Sequence, residues 1–375
     1  MTLLLFCKQI VDMFYEFKLP DYLIVSFAAF LVIYQLWLIR PIEIKNKVQL
    51  PDICVVVFVM MLTICLIRTD AINFHMYGKI MSAFLMYFMG RVCYKRIYEG
   101  TEALAMASYI VVAVNVISRI ALYGLPDFFD RSKYSDGVYY YGTDLGYAML
   151  LSVVFIGMYA KNSIMKFITI FLICPFMILS ADDGVQQVLL VVVYVILFIY
   201  MGERAVKKRA ISDFILPVAI VGLLVIEAGL IAPVFMEGTD NAFVRFIDTN
   251  IVSTQNITAR YGDWKIIWSQ LIANGLNGLL FGIDTNYLLG NQYMSILNIF
   301  GFFGLFVFLV FIVSISVKTV KTNDRKTYYV MVLLAILFLG TCINVNGMEF
   351  TQMSWFPMMY AGLVATSSGK ENCEE

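Results

Sequence analysis

Histidine and charge are what this chain has least of. One histidine, His75, stands among 375 residues, and only 14% of the chain is Asp, Glu, Lys or Arg. A single imidazole excludes a histidine-rich metal site and leaves no spare base for a Ser-His-Asp triad. The seven cysteines are scattered and form no CxxC, so neither a metal framework nor a disulfide scaffold is expected. Cys54, Cys65, Cys93 and Cys174 lie in or beside apolar runs and read as small core residues. Lys and Arg balance Asp and Glu at 27 each, which leaves no bulk attraction for nucleic acid. No GxxxxGK[ST] loop occurs, so the chain does not consume nucleotide itself. No internal repeat is visible. No cleavable signal peptide is expected, because Lys8, Asp12 and Glu16 interrupt the first apolar segment too early.

What the chain has in abundance is apolar surface: 61% of it is hydrophobic and 15% aromatic. A soluble domain of this length needs far more polar residues to cover itself. The apolar residues come in long continuous runs rather than in ten-residue alternation, which excludes an outer-membrane barrel. The expectation is an all-α polytopic membrane protein, a single integral membrane domain over residues 1–375. At about 20 residues per crossing, roughly eleven spans can be drawn. They cover approximately 21–40, 52–68, 73–92, 103–122, 142–160, 164–180, 185–201, 213–236, 292–317, 328–346 and 350–367. Residues 1–18 are too charged to cross and are expected to lie on the membrane surface as an amphipathic helix. If they do cross, the count becomes twelve.

Basic residues set the orientation. One alternate set of loops holds 17 of the 27 Lys and Arg, and the other holds eight. The richer set includes Arg40, Arg91, Lys95, Lys161, Arg204, Lys318 and Lys326, mostly in short loops where the rule is strongest. Residues 40–51 are therefore expected in the cytoplasm, and the long segments 123–141 and 237–291 outside.

The second outer segment carries "TARYGDWKIIW", Thr258 to Trp268. Trp264, Ile267, Trp268, Leu271 and Ile272 follow helical spacing and form one apolar stripe. A helix over about 263–274 is expected, capped by Asp263 and ended by Gly275 and Gly278. At about 18 Å it is too short to cross, so it is expected to lie in the interface with its tryptophans at headgroup depth. Arg260 would then sit just before a helix N-terminus, where backbone N–H groups and guanidinium together suit a phosphate. Arg260 pairing with Asp263, or greeting anionic lipid headgroups, is the simpler alternative. Arg131 lies in the other outer loop. His75 and Lys79 are four apart near the outer end of the third span, and Asn115 and Arg119 are four apart near that of the fourth. Charges inside spans are costly and usually face a cavity, with snorkelling to the interface as the alternative for Lys79 and Arg119. Glu227, in the outer half of the eighth span, is placed to counter one of these cations.

In order and spacing, three segments are similar to the O-antigen polymerase and O-antigen ligase superfamily of bacterial envelope proteins. They are "FDRSKYSDGVYYYGTDLGYAML", "TARYGDWKIIWSQLIANGLNGLLFGID" and "NQYMSILNIFGFFGLFVFL". The resemblance implies a fold related to the C-type glycosyltransferases and metal-independent glycosyl transfer without a cofactor. It also implies a plasma-membrane enzyme whose site faces outside, acting on undecaprenyl-pyrophosphate-linked glycan among membrane lipids. A flippase and a chain-length regulator would be its partners. By this resemblance Arg131 and Arg260 bind the pyrophosphate. Asn291 stands where ligases carry a histidine, a departure that favours polymerase over ligase. Asp182 and Asp183 replace a Ser-Arg-Gly-like stretch, so one familiar cation is missing. Arg260, Arg131 and Asn291 are then the catalytic candidates. Lys79, Arg119, Tyr141, Trp264 and Asp263 are the substrate-binding candidates. The Tyr139–Tyr141 run is suited to stack on sugar faces or to join an interfacial aromatic belt. Asp263, Asp284, Glu227 and Asp144 are the carboxylates able to serve as base. The rival classes are a ligase-type transferase, a flippase or similar transporter of lipid-linked oligosaccharide and, more distantly, a non-catalytic interaction protein.

Overall fold

The computed structural model describes residues 1–14, 18–38, 48–68, 74–124, 142–180, 184–206, 215, 217–223, 225–226, 255–283, 290–343, 345, 347–348 and 351–367. Among the described residues every regular element is a helix. In chain order these are α1 (Thr2–Val11), a 3-10 turn (Asp12–Phe14), α2 (Lys18–Leu38), α3 (Leu50–Arg68), α4 (Phe74–Val92), the short α5 (Tyr94–Glu99) and α6 (Thr101–Tyr123). Then follow α7 (Gly142–Tyr159), α8 (Ser163–Ile168), a π turn (Thr169–Ile173), α9 (Cys174–Ser180) and α10 (Gly184–Val206). Last come α11 (Gln255–Ala273), α12 (Gly275–Phe281), α13 (Gln292–Val320), α14 (Arg325–Thr341) and α15 (Thr351–Ser367). Polar caps mark where some of them begin. Asn162 accepts from the Ile164 and Met165 N–H groups at 3.1 Å each, and Asp324 accepts from those of Lys326 and Thr327 at 3.2 Å each.

Four of the described helices are long and apolar enough to cross a membrane: Leu50–Ile67, Thr101–Leu122, Val185–Glu203 and Gln292–Val320. Shorter apolar helices accompany them. Their outer faces have the chemistry of a protein solvated by lipid. On α3, Ile53, Val56, Met60, Ile64 and Ile67 are all exposed at helical spacing, and on α10 so are Val188, Val191, Val195 and Phe198. A water-facing helix would place polar residues on those stripes.

Among the described helices α4 and α15 pack most closely, and they run parallel. An added Cβ at Gly90 would fall on the Met359 carbonyl, and one at Gly362 on the Tyr87 carbonyl. The two glycines let the backbones touch, the way helices pack where no hydrophobic drive separates protein from solvent. Trp355 Nε1 donates to Ser82 Oγ at 2.9 Å along the same seam.

α13 is broken by Gly301, whose φ of +64° interrupts the helix. The break is occupied. The Ile283 N–H donates to the freed Asn298 carbonyl at 2.8 Å, and Gly282 (φ +85°) and Gly301 leave room for each other's strand of backbone. Irregular backbone inside an apolar layer is tolerated where protein satisfies it, as here.

The N-terminal helix differs from the surface helix expected from its charges. α1 packs on α6, with Leu4, Leu5, Lys8 and Gln9 buried. Lys8 and Asp12, one turn apart, form an ion pair that removes the reason for exposure.

Candidate functional site

Contacts gather one set of helix ends together. Lys8 Nζ donates to Thr351 Oγ1 at 3.3 Å, joining the end of α1 to the start of α15. Lys8 also lies over the Trp355 ring, 4.2 Å from its centroid. Gln352 hydrogen-bonds the Asp144 carboxylate in the first turn of α7, and Asp12 and Lys79 act on that carboxylate through space. Ser108 Oγ on α6 donates to Gln9 Oε1 at 3.1 Å. Asn115 Nδ2 donates to the Val111 carbonyl at 2.8 Å and meets Met13 Sδ at 3.7 Å. Lys8, Gln9, Asp12, Asn115, Arg119 and Asp144 are all buried. Ionisable groups packed between apolar helices are expensive, and they mark function more often than ordinary core packing does. A small cavity of about 20 Å³ opens among them, lined by Gln9, Asp12, Tyr147, Ser152 and Gln352 together with Val111, Ala148 and Leu151. Its size is about that of one water molecule, and most of its lining surface is apolar.

A second, apolar cavity of about 80 Å³ runs between α3, α4, α13, α14 and α15, bounded by Phe58, Phe84, Phe300, Phe308 and Phe338. It has almost no polar lining beyond Gln292, Ser316 and Thr319. It suits hydrocarbon and offers no chemistry.

The residues singled out from sequence fall as follows. Lys79 is half-buried on α4 and belongs to the polar cluster, joined to Asp144 electrostatically. His75 is exposed one turn earlier. Arg119 is buried one turn beyond Asn115 on α6, the helix that packs against α1 and α7. Asn291 is wholly buried and works as a structural knot. Its Oδ1 accepts from the Met294 N–H at 2.9 Å, capping α13, and its Nδ2 donates to the Ile343 carbonyl at 3.0 Å. Gln292 continues the knot, accepting from the Met348 N–H at 2.7 Å.

The helix expected over 263–274 is longer. α11 starts at Gln255, so Asp263 lies in mid-helix and exposed instead of capping it, and Arg260 lies inside the helix instead of before it. The stretch from Gln255 to Arg260 contains no breaker, and Gly262 is tolerated in a helix at about 1 kcal/mol. The helix-terminus argument for a phosphate beside Arg260 therefore does not hold. The stripe itself is real, but it faces protein. Trp264, Ile267 and Leu271 are buried, Trp268 meets Phe302 edge-on at 6.4 Å, and Ile272 is exposed. Trp264 is thus a packing residue here and not a headgroup anchor. Gly275, φ +62°, ends α11 as expected, whereas Gly278 sits inside α12.

Arg131, Tyr141, Glu227, Asp284, Asp182, Asp183 and the side chain of Arg260 lie outside the described residues, as does most of the segment 123–141. Lys8, Asp12, Gln352 and Trp355 were missed in the sequence. The signal was the Lys8–Asp12 spacing of four within an apolar run, which reads as a mutually neutralised pair as readily as a surface face. Among the described residues no group of His, Cys, Asp and Glu is arranged to hold a metal ion. No protein-family model matches the chain, and no curated protein matches it either.

Proposed function

We propose that this protein polymerises lipid-diphosphate-linked oligosaccharide repeat units at the outer leaflet of a bacterial plasma membrane, by metal-independent glycosyl transfer. The observation that carries the reading is the buried polar cluster at one end of the helical bundle, where Lys79, Asp144, Asp12 and Lys8 gather. Support also comes from the order of the three sequence segments similar to the polymerase and ligase superfamily. On this reading the chain crosses about eleven times, is related to the C-type glycosyltransferases, and presents the cluster outside. Lys79 and Arg119, with Arg131 and Arg260 from the outer segments, stabilise the charge that grows on the departing lipid diphosphate. The diphosphate bond supplies the energy, so no nucleotide is spent at this step. Asn291, the third catalytic candidate, also caps α13 and ties it to the Ile343 carbonyl.

Purified protein in vesicles, given lipid-diphosphate-linked repeat units, is expected to build a ladder of longer glycans on one lipid. Arg131→Ala, Arg260→Ala and Lys79→Ala are each expected to slow the ladder by roughly a hundredfold, about 3 kcal/mol of transition-state stabilisation. Wild-type rates in all three variants would remove this assignment. Transfer of glycan to a different acceptor would identify a ligase. One observation favours a transporter: the Lys8–Asp12 pair buried between helices is the kind of intramembrane ion pair that coupled carriers use. Lipid-linked glycan that changes leaflet without forming a new bond would establish that alternative.

A further inference from the structure

We propose that the apolar cavity beside α13 and α14 holds one acyl chain of an anionic phospholipid, whose headgroup is met by Lys318 and Lys321. This goes beyond the polymerase reading and does not depend on it. The cavity exists because two consecutive helices do not close on each other. α13 ends at Val320 and α14 begins at Arg325, a turn short enough to lay them side by side, yet α13 packs chiefly on α3 and only sparsely on α14. The break at Gly301 contributes. It turns the first part of α13 back, so that the Tyr293 ring lies 6.0 Å from the Phe308 ring, two positions that a straight helix would separate by about 22 Å. Aromatic walls keep the space from collapsing. Phe58 stands edge-on to Phe300 at 5.8 Å and to Phe308 at 6.3 Å, and Tyr87 stands edge-on to Phe311 at 5.8 Å. Left empty, such a void forfeits packing on every side.

The lining defines the chemistry of what fills it. Each of its three polar residues already engages its oxygen inside the protein. Gln292 Oε1 accepts from the Met348 N–H at 2.7 Å, Ser316 Oγ donates to the Ile312 carbonyl at 2.6 Å and Thr319 Oγ1 donates to the Ile315 carbonyl at 2.8 Å. Nothing there asks for a polar partner, so the occupant is hydrocarbon. A volume of about 80 Å³ takes part of one chain and nothing bulkier. Phe311, Ser316 and Ala335 are only partly buried, and the cavity reaches the surface beside them. Its lining extends to Thr319, in the last turn of α13. There the charge complements a phospholipid headgroup. Lys318 follows Phe311 and Ile315 along one helical stripe, and Lys321 stands one turn further on. Among the described residues neither lysine pairs with an acid. The neighbouring cations are engaged, Arg325 with the Glu203 carbonyl and Lys326 with the Tyr159 ring. Basic side chains at the end of a gap between membrane helices are a recurrent way of holding anionic headgroups. The buried polar cluster lies at the other end of the bundle, so a lipid diphosphate held there would approach from the opposite side.

Native mass spectrometry of the full-length protein in mild detergent tests this, with phosphatidylglycerol and phosphatidylethanolamine of identical chains offered in equal amounts. A phospholipid is expected to survive removal of the bulk lipid, with phosphatidylglycerol retained in preference. Replacing both lysines, Lys318→Gln with Lys321→Gln, should lower that preference by about fivefold for each lysine. Ala335→Phe should fill the cavity and expel the lipid. Phosphatidylglycerol with a photoreactive diazirine on its chain should attach to Met331 or Phe338, which line the cavity. No retained phospholipid, equal retention of the two, or an undiminished preference in the double lysine variant overturns the proposal. So does attachment confined to lipid-facing residues such as Val313 and Val317. A retained isoprenoid lipid in place of phospholipid overturns it in favour of a lipid-linked substrate's tail. If Ala335→Phe does not assemble, the attachment site in the wild-type protein decides.

Discussion

Asp52 shows how much one residue can hold at the opposite end of the bundle. Its Oδ2 accepts from the Gln49 N–H at 2.8 Å, the acidic arm of a capping box at the start of α3. The same carboxylate accepts from Arg91 Nε at 2.9 Å and Nη2 at 2.8 Å, and from Tyr87 Oη at 2.6 Å. Arg91 then reaches Thr366 Oγ1 at 3.2 Å, so one side chain ties α3, α4 and α15. Both partners are largely buried, at 12% and 13% exposed. Removing one member of such a pair strands the other charge, which costs more than the pair itself contributes. Asp52→Ala is expected to destabilise the protein by about 3 kcal/mol. Tyr87→Phe, which loses one hydrogen bond to a charged group, should cost about 2 kcal/mol. Thermal unfolding in detergent reads both, and an unchanged midpoint for Asp52→Ala would show that the pair is incidental. None of this was legible in the sequence. Asp52 and Arg91 are 39 residues apart, and no local pattern announces a contact made only when two helices pack. The same holds for Asn291. Its side chain is a candidate for chemistry in the sequence, and the structure adds a role no local pattern announces: a following N–H and a carbonyl 52 residues away make it a cap and a tie.

Among the elements, those that announce themselves by continuous apolar runs were legible almost to their ends. α3, α4, α6, α7, α10, α13, α14 and α15 each coincide with an expected span. The runs suffice because a bilayer demands both length and backbone self-satisfaction, and a helix supplies both. What was not legible is what tertiary packing decides: the burial of α1, the early start of α11 and the break in α13. The break is testable. Gly301→Ala places a side chain at a left-handed φ of +64° and against the backbone of Leu280 and Phe281. A residue with a Cβ pays roughly 1–2 kcal/mol for that conformation even before the collision. α13 is expected to relieve both by straightening, which withdraws the Asn298 carbonyl from the Ile283 N–H and releases α12. Cysteines placed at Phe281 and Phe303, whose rings lie 6.3 Å apart and exposed, should be joined readily by a short bifunctional thiol reagent in the wild-type background and poorly with Gly301→Ala. Equal cross-linking would mean that α12 is held by contacts other than this notch.

For the whole molecule, the basic loops and the buried polar cluster occupy opposite ends. Lys161 pairs with Glu102 at 2.6 Å, Arg325 Nη1 donates to the Glu203 carbonyl at 2.8 Å, Thr327 Oγ1 donates to Tyr98 Oη at 3.0 Å and Lys326 lies 4.3 Å from the Tyr159 ring centroid. These contacts bring together the ends of α5, α6, α7, α10 and α14 that carry the richer set of Lys and Arg. At the far ends of the same helices lie Asp144, Arg119 and the Asn291 knot. Counting charges therefore anticipated which loops meet, because segregation of charge and alternation of helices impose the same two-sided order. The rule makes the basic end cytoplasmic, which an impermeant thiol reagent tests. In a cysteine-free background, Lys161→Cys replaces an exposed side chain, 80% accessible, whose surface ion pair contributes little stability. Asp263→Cys replaces an exposed residue on α11. In intact cells Asp263→Cys is expected to label and Lys161→Cys to stay unlabelled until the membrane is opened. The reverse pattern would turn the molecule over and put the Asp144 cluster inside. A lipid-linked acceptor waiting on the outer surface could not reach it there, and the outward-facing transferase would have to be abandoned.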